Sequence, residues 1–289
     1  MLGFYKFLSW LSGTFEEAPG NYGWFHIMFL VIVIAATGLI CHFFKNANDK
    51  TFRRIVMIAW IVMVIFEIYK EVIFAFHIDE EDLMKSTWGY MWYAFPYQLC
   101  STPLYILPII AFLPDSNKVT YWIRRACMYY IATFAFFGGF VVYVYPNDVF
   151  IKTIGICIQT MVHHGLQVVL GVYTAVYLRK NYKISEAWTG LCVFAALSLI
   201  AILLNETMIH IIPEGNNFNM FYISRHFDCT LPILCDVYKA VSYPLFLAIY
   251  LLGYALVGAI IFFSQKSILR LVYHKEHVAV VVIKEDAQV

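Results

Sequence analysis

Long apolar runs separated by short polar connections dominate the chain. Taken in order, they predict membrane-length helices at about residues 25–44, 55–76, 92–113, 127–145, 151–178, 188–212 and 240–263. Roughly 20 apolar residues suffice to cross a hydrocarbon core of about 30 Å. The pattern therefore predicts an all-α polytopic membrane protein with seven transmembrane helices, occupying residues 25–264. Ahead of it, residues 1–24 carry a short apolar run broken by Ser9, Ser12 and Gly13, with no small-x-small cleavage pattern, so this stretch is predicted to be an interfacial segment and not a signal peptide. Beyond it, residues 265–289 form a predicted cytoplasmic tail with a VAVVVI run of undecided structure.

Composition agrees with a multi-pass protein of the cell membrane, because 62% of residues are hydrophobic and only 13% are charged, against about 25% charged in soluble domains. A net charge of +1, with basic residues spread over several loops, gives no reason to expect a nucleic-acid partner. Loop charge adds an orientation. Lys45, Lys50, Arg53 and Arg54, then Lys118, Arg124 and Arg125, then Arg179, Lys180 and Lys183 alternate with acidic or neutral connections at 79–85 and 145–152. By the positive-inside rule the N-terminus is predicted outside and the C-terminus, with Lys266, Arg270 and Lys275, in the cytoplasm.

The polar residues inside the runs change the picture further. The third run holds Gln98, Cys100, Ser101 and Thr102 together, and the second places Glu67, Lys70 and Glu71 on one helix face. In the fifth, Gln159, His163 and Gln167 fall on one stripe with His164 at its edge; the sixth ends with Asn205 and Glu206. Gly138-Gly139 in the fourth predicts a close helix contact or a weak point in the helix. With the predicted orientation these groups reach overlapping depths, so a shared polar cavity opening outward is expected. Interhelical hydrogen bonds of about 0.6 kcal/mol account for a lone Gln or Asn, whereas ionisable groups at membrane depth point to a functional site.

Cys100 beside an imidazole is the one combination here suited to covalent chemistry. The histidine would act as general base, the thiolate would accept an acyl group to give a thioester that an alcohol or water resolves, as an acyltransferase or a related lipid hydrolase would, Gln98, Asn205 or Glu206 would orient the base, and Gln98 or Thr102 would stabilise the oxyanion. Seven cysteines without a CxxC exclude zinc ribbons and thioredoxin-like chemistry. His163 and His164 are adjacent and point about 100° apart on a helix, so a shared metal ion is not expected, nor is a cofactor. The candidate site is therefore Cys100, His163 and His164 as catalytic residues, with Glu67, Lys70, Gln98, Gln167, Asn205 and Glu206 as substrate contacts. A small-molecule transporter or receptor with a polar outward-facing cavity is the other class left open; the absence of an internal repeat argues against a transporter.

At FPYQLCSTPLYILP, VHHGL and NNFNMFYIS the chain resembles the YwaF family of bacterial integral membrane proteins, whose animal relative is a TMEM-type phospholipid acyltransferase. The family's third-span pattern is matched by Pro96, Gln98, Leu99, Cys100 and Ser101, its fifth-span histidine by His163 or His164, and its Asn-Tyr after the sixth span by Asn217 and Phe218. Many members carry His where this chain has Gln98. The resemblance spans about residues 20–265. It implies a seven-helix fold and acyl transfer between glycerophospholipids through a Cys-His pair, with membrane phospholipids as partners.

Overall fold

The computed structural model describes residues 2–79, 81–147 and 149–274. The VAVVVI run lies outside the described residues. A short helix α1 (Leu2–Leu11) precedes α2 (Trp24–Phe44) and α3 (Asp49–Ala75). A two-residue hairpin, β1 (Phe76–His77) with β2 (Thr87–Trp88), leads to α4 (Pro103–Phe112). Then come α5 (Lys118–Tyr130), α6 (Phe136–Val144), α7 (Ile154–Leu178), α8 (Ile184–Met208), α9 (Leu234–Ala240) and α10 (Tyr243–Val272).

Among the described residues, five helical stretches are long and apolar enough to cross a membrane: Trp24–Phe44, Lys118–Val144, Ile154–Asn181, Ile184–Met208 and Tyr243–Val272. The protein is thus an all-α, multi-pass membrane protein. Helix α3 is of similar length but carries Glu67, Lys70 and Glu71. Residues Ile131–Ala135 join α5 to α6 through a wide π-helical turn, all of it buried, and Gln265 of α10 donates a hydrogen bond to the Ala132 carbonyl there at 2.8 Å. Helix α10 continues past the predicted end at 263, so the predicted start of the tail falls inside it.

The continuous helix predicted over residues 92–113 is not formed. Only α4 is α-helical; Trp92–Ala94 and Leu99–Ser101 are isolated 3₁₀ turns joined by extended backbone. Pro96 and Pro103 explain this, since proline lacks the N–H that would continue a helix and restricts the residue before it. Irregular backbone at membrane depth is tolerated only where the protein itself satisfies it, and here it does. Pro108 leaves the Leu104 carbonyl without its helical partner, and Trp60 Nε1 of α3 donates to that oxygen at 2.9 Å. Arg53 and Arg124 donate to the last carbonyls of α4, at 2.6 Å to Leu113 and 3.0 Å to Ile110.

A second departure lies in the long polar connection after α8. Its middle folds back into the bundle, burying Phe218, Asn219, Met220, Phe221, Ile223 and Ser224.

The loops that carry Lys45 and Lys50, Arg124 and Arg125, and Arg179, Lys180 and Lys183 gather at one end. At that end Arg179 donates to the Lys45 carbonyl at 2.5 Å and lies over the Tyr273 ring at 5.0 Å, Arg124 pairs with Asp49 and Asp115, and Arg125 pairs with Glu186. At the other end Phe15 N donates to the Lys152 carbonyl at 2.9 Å, Tyr22 to the Val144 carbonyl at 2.8 Å and Tyr69 to the Leu11 carbonyl at 2.8 Å. Helix α1 lies against the hairpin there, with Phe4 on Trp88 and Tyr5 on Phe76. It buries Leu8 while Leu2, Phe7 and Trp10 stay exposed.

Candidate functional site

Cys100 occupies the 3₁₀ turn Leu99–Ser101 immediately before α4. The turn can sit deep because α6 presents Gly138 and Gly139. A Cβ on Gly139 would lie 2.5 Å from the His164 carbonyl oxygen, and one on Gly138 would lie 3.4 Å from Gln167 Oε1 and 3.8 Å from Cys100 Cα. The glycine pair is therefore a close contact between α6, α7 and the cysteine turn.

Two side chains of α7 meet that turn at one atom. The Cys100 carbonyl oxygen accepts from His163 Nε2 at 2.9 Å and from Gln167 Nε2 at 2.9 Å. Because a carbonyl can only accept, His163 carries its proton on Nε2 and keeps the lone pair on Nδ1. Nδ1 is buried and has no hydrogen-bond partner among the described residues. His164 has the opposite arrangement: its Nδ1 donates to the Thr160 carbonyl at 2.7 Å, which leaves Nε2 as the basic nitrogen. The two rings are 5.7 Å apart and inclined at 66°. No hydrogen bond joins either imidazole to the Cys100 thiol, and no group of three or more His, Cys, Asp or Glu suited to a metal ion occurs among the described residues.

Helix α3 supplies charge to the same region. Lys70 Nζ lies 2.5 Å from Glu67, 3.2 Å from Glu71 and 2.9 Å from the Ala94 carbonyl, so the ionisable face predicted on this helix is paired within itself and tied to the segment before Cys100.

Other predicted site residues are engaged elsewhere. Gln98 Nε2 donates to the Asn219 carbonyl at 2.9 Å and its Oε1 accepts from Phe221 N at 2.8 Å; Asn205 makes the same two-way pair with Met220, at 3.0 and 2.8 Å. Both amides serve as clamps on the buried 218–224 segment. Thr102 Oγ1, expected as an oxyanion donor, donates to the Leu99 carbonyl at 2.6 Å and shares a hydrogen bond with the Tyr130 hydroxyl. Glu206, one position round the helix from Asn205, points away from the cysteine and pairs with Arg225 at 2.6 Å and His226 at 3.3 Å. Around the Cys100 turn the structure thus brings together His163, His164 and Gln167, with Lys70 and its partner Glu67 tied to the preceding Ala94 carbonyl, while Gln98, Asn205 and Glu206 engage the segment after α8.

The 218–224 segment is what sequence reasoning missed. Phe221 and Tyr222 are consecutive bulky residues in the left-handed region, with φ of 59° and 57°, a conformation that persists only where surroundings over-determine it. Beyond the two clamps, Asn219 Oδ1 accepts from Ser224 N at 2.9 Å and Tyr250 donates to the Phe221 carbonyl at 3.0 Å. Phe218 is buried against Phe95 with ring centroids 5.4 Å apart, a packing role that needs no hydroxyl. The one available signal was the apolar character of FNMFYI inside an otherwise polar connection.

Two apolar clefts, of about 270 and 350 Å³, run along α2, α6, α7 and α10; their walls include Phe136 and Val172 but not Cys100. No curated protein and no solved structure matches the chain. The model of the TMEM164 family matches residues 21–265, most of the length, and the chain therefore belongs to the TMEM164 family.

Proposed function

We propose that the protein is a membrane-embedded lipid acyltransferase in which Cys100 carries the acyl group and His163 moves the proton. The observation that supports this most directly is the shared Cys100 carbonyl. His163 and Gln167 both donate to it, which holds the cysteine turn against an imidazole whose remaining nitrogen is unpartnered and buried. In this reading that nitrogen is the acceptor for the thiol proton.

In the proposed cycle, substrate entry shifts the Cys100 turn relative to the His163 ring so that the thiol reaches Nδ1, which removes its proton. The thiolate attacks an ester carbonyl of a glycerophospholipid, so that a carbon–sulfur bond forms and the ester carbon–oxygen bond breaks. The departing lysophospholipid oxygen takes the proton back from the imidazolium. A lysophospholipid hydroxyl, deprotonated by the same nitrogen, then attacks the thioester; its carbon–oxygen bond forms, the carbon–sulfur bond breaks, and the thiol recovers the proton. The Lys70 ammonium supplies positive charge near the thiolate and the developing oxyanion.

The same reading takes α3 and the broken stretch ending in α4 as crossings that complete seven, with the basic end cytoplasmic. Clustering of the Lys45, Asp115 and Arg179 loops with Tyr273 at one end supports it. Labelling a cysteine placed at Lys50 from outside intact cells tests the orientation, and ready labelling would reverse it.

The activity test is acyl transfer from a labelled phospholipid by the purified protein in nanodiscs, with mass spectrometry for a thioester on Cys100. Cys100→Ala should abolish turnover and the adduct together. Turnover unchanged in Cys100→Ala would reject the nucleophile, and no transfer by the parent protein would leave solute binding by a transporter or receptor as the surviving reading.

A further inference from the structure

At the basic end, the loop between α7 and α8 and the last turns of α10 enclose a cavity of about 390 Å³ lined by Arg179, Lys180, Lys183, Ser185, Lys266 and Arg270. We propose that this cavity is a second lipid site, which takes the phosphate-bearing headgroup of an anionic phospholipid, remote from Cys100 and independent of the acyl-transfer reading.

Charge carries the first step. Five cationic residues line one space, and among the described residues no carboxylate does; Arg179 is itself held by the Lys45 carbonyl and Asn46, so Lys180, Lys183, Lys266 and Arg270 supply the charge. Glu186, the nearest acid, is buried and committed to Arg125, with Lys183 only 3.7 Å away on its other oxygen. Among the described residues, no ion pair involves Lys180, Lys266 or Arg270. Lys266 and Arg270 stand four apart on α10, a like-charge spacing that weakens a helix unless an anion compensates it.

The backbone adds to this. Helix α8 begins at Ile184, and its N-cap, Lys183, offers no side chain to the first N–H groups. Ile184 and Ser185 line the cavity, so those uncapped N–H groups and the positive end of a 25-residue helix dipole meet the same space. Positive-inside loops commonly hold scattered lysines, but a concave site built jointly from cations and a helix N-terminus is the arrangement that binds a phosphate group.

The surroundings identify the source of that phosphate as a lipid. Ile184, Trp188, Ile268 and Leu271 are all more than half exposed around this part of α8 and α10. Apolar side chains facing outward belong to the acyl region, and an exposed tryptophan marks the headgroup level. The cavity therefore lies where a leaflet presents phosphate to a basic pocket between helices.

The test uses the full-length protein in a neutral detergent, titrated separately with dioctanoyl phosphatidylglycerol, dioctanoyl phosphatidylcholine and inorganic phosphate while thermal unfolding is followed. The expected result is a saturable rise in Tm with the anionic lipid, little with the zwitterionic one, and little with phosphate at the same concentration. In Lys266→Gln/Arg270→Gln the apparent affinity should fall roughly 10- to 30-fold. Lys180→Gln/Lys183→Gln, on the opposite wall, should reproduce the loss and guards against a local effect on α10. No rise with the anionic lipid, or a rise indifferent to both double substitutions, would overturn the site. A rise with phosphate equal to that with the lipid would overturn the lipid assignment.

Discussion

His163 meets Cys100 through the peptide and not through the thiol, its Nε2 lying 2.9 Å from the Cys100 carbonyl oxygen. That bond fixes the tautomer and points the basic nitrogen, Nδ1, to the other side of the ring. General-base catalysis contributes about 10²–10⁴-fold, so His163→Ala should lower kcat by at least about 10²-fold. His164→Ala and Gln167→Ala, which leave Nδ1 of His163 in place, should fall less. The measurement is kcat for the three variants at matched expression. A His164 variant with the deeper loss would move the proton-transfer role to His164 Nε2.

Gln98 and Asn205 should prove to be stability residues. Each satisfies one N–H and one C=O of the buried loop, and leaving a buried polar group unsatisfied costs about 1–3 kcal/mol. Gln98→Ala and Asn205→Ala are each expected to lower Tm clearly in detergent, and the pair to release Phe221 and Tyr222 from their left-handed conformation, seen as new proteolysis within 218–224. An unchanged Tm in both would remove the clamp argument.

Gly139 and Gly138 should differ in tolerance although they are neighbours. A methyl group on Gly139 collides with the His164 backbone at 2.5 Å, whereas on Gly138 its nearest contact is the Gln167 side chain at 3.4 Å. Gly139→Ala must push α6 from α7 and should cost folded yield, and Gly138→Ala should fold and lose activity only through Gln167. Equal yields of the two would show the helices less tightly apposed.

Glu67 is buried, and its partner Lys70 is held at 2.5 Å. Lys70 also lies 3.2 Å from Glu71, so Glu67→Gln leaves one balanced pair, whereas Lys70→Gln leaves two carboxylates with no cation. Removing one member of a buried pair costs about 3–5 kcal/mol, so Lys70→Gln should lower Tm more than Glu67→Gln. Equal losses in the two variants would mean that Lys70 acts chiefly through the Ala94 carbonyl.

Asp49, ahead of the apolar part of α3, gives a pH signature. Partial burial works to raise its carboxyl, but hydrogen bonds and charge from Arg53 and Arg124 outweigh it and hold the group below its usual range. Its contribution is thus present above the unfolded value of about 3.9 and is lost as pH falls through the lower folded value. Asp49→Asn should be less stable than the parent at neutral pH and converge with it in strong acid. The difference should be small and shrink with salt, because the Asp49 side chain is 45% exposed. A gap that persists undiminished in acid would assign it to packing.

Periodicity and composition alone determined that this chain crosses a membrane repeatedly as helices, because twenty apolar residues in a row have few other stable destinations. They also placed Glu67 with Lys70, and Gln159, His163 and Gln167 on one stripe, since spacings of three and four share a helix face whatever the helix packs on. Tertiary structure alone decided the rest. Apolar content over 92–113 reads as one helix, yet its prolines break the ladder and only partners on α3 and α5, such as Trp60 and Arg124, make the broken form tolerable. Likewise Gln98 and Asn205 look like free amides until a loop more than a hundred residues from Gln98 arrives to use them. Which atom of Cys100 faces His163 is a matter of how a turn seats between α6 and α7. Such contacts between residues distant in sequence leave no trace in local pattern, because they are satisfied by packing and not by spacing.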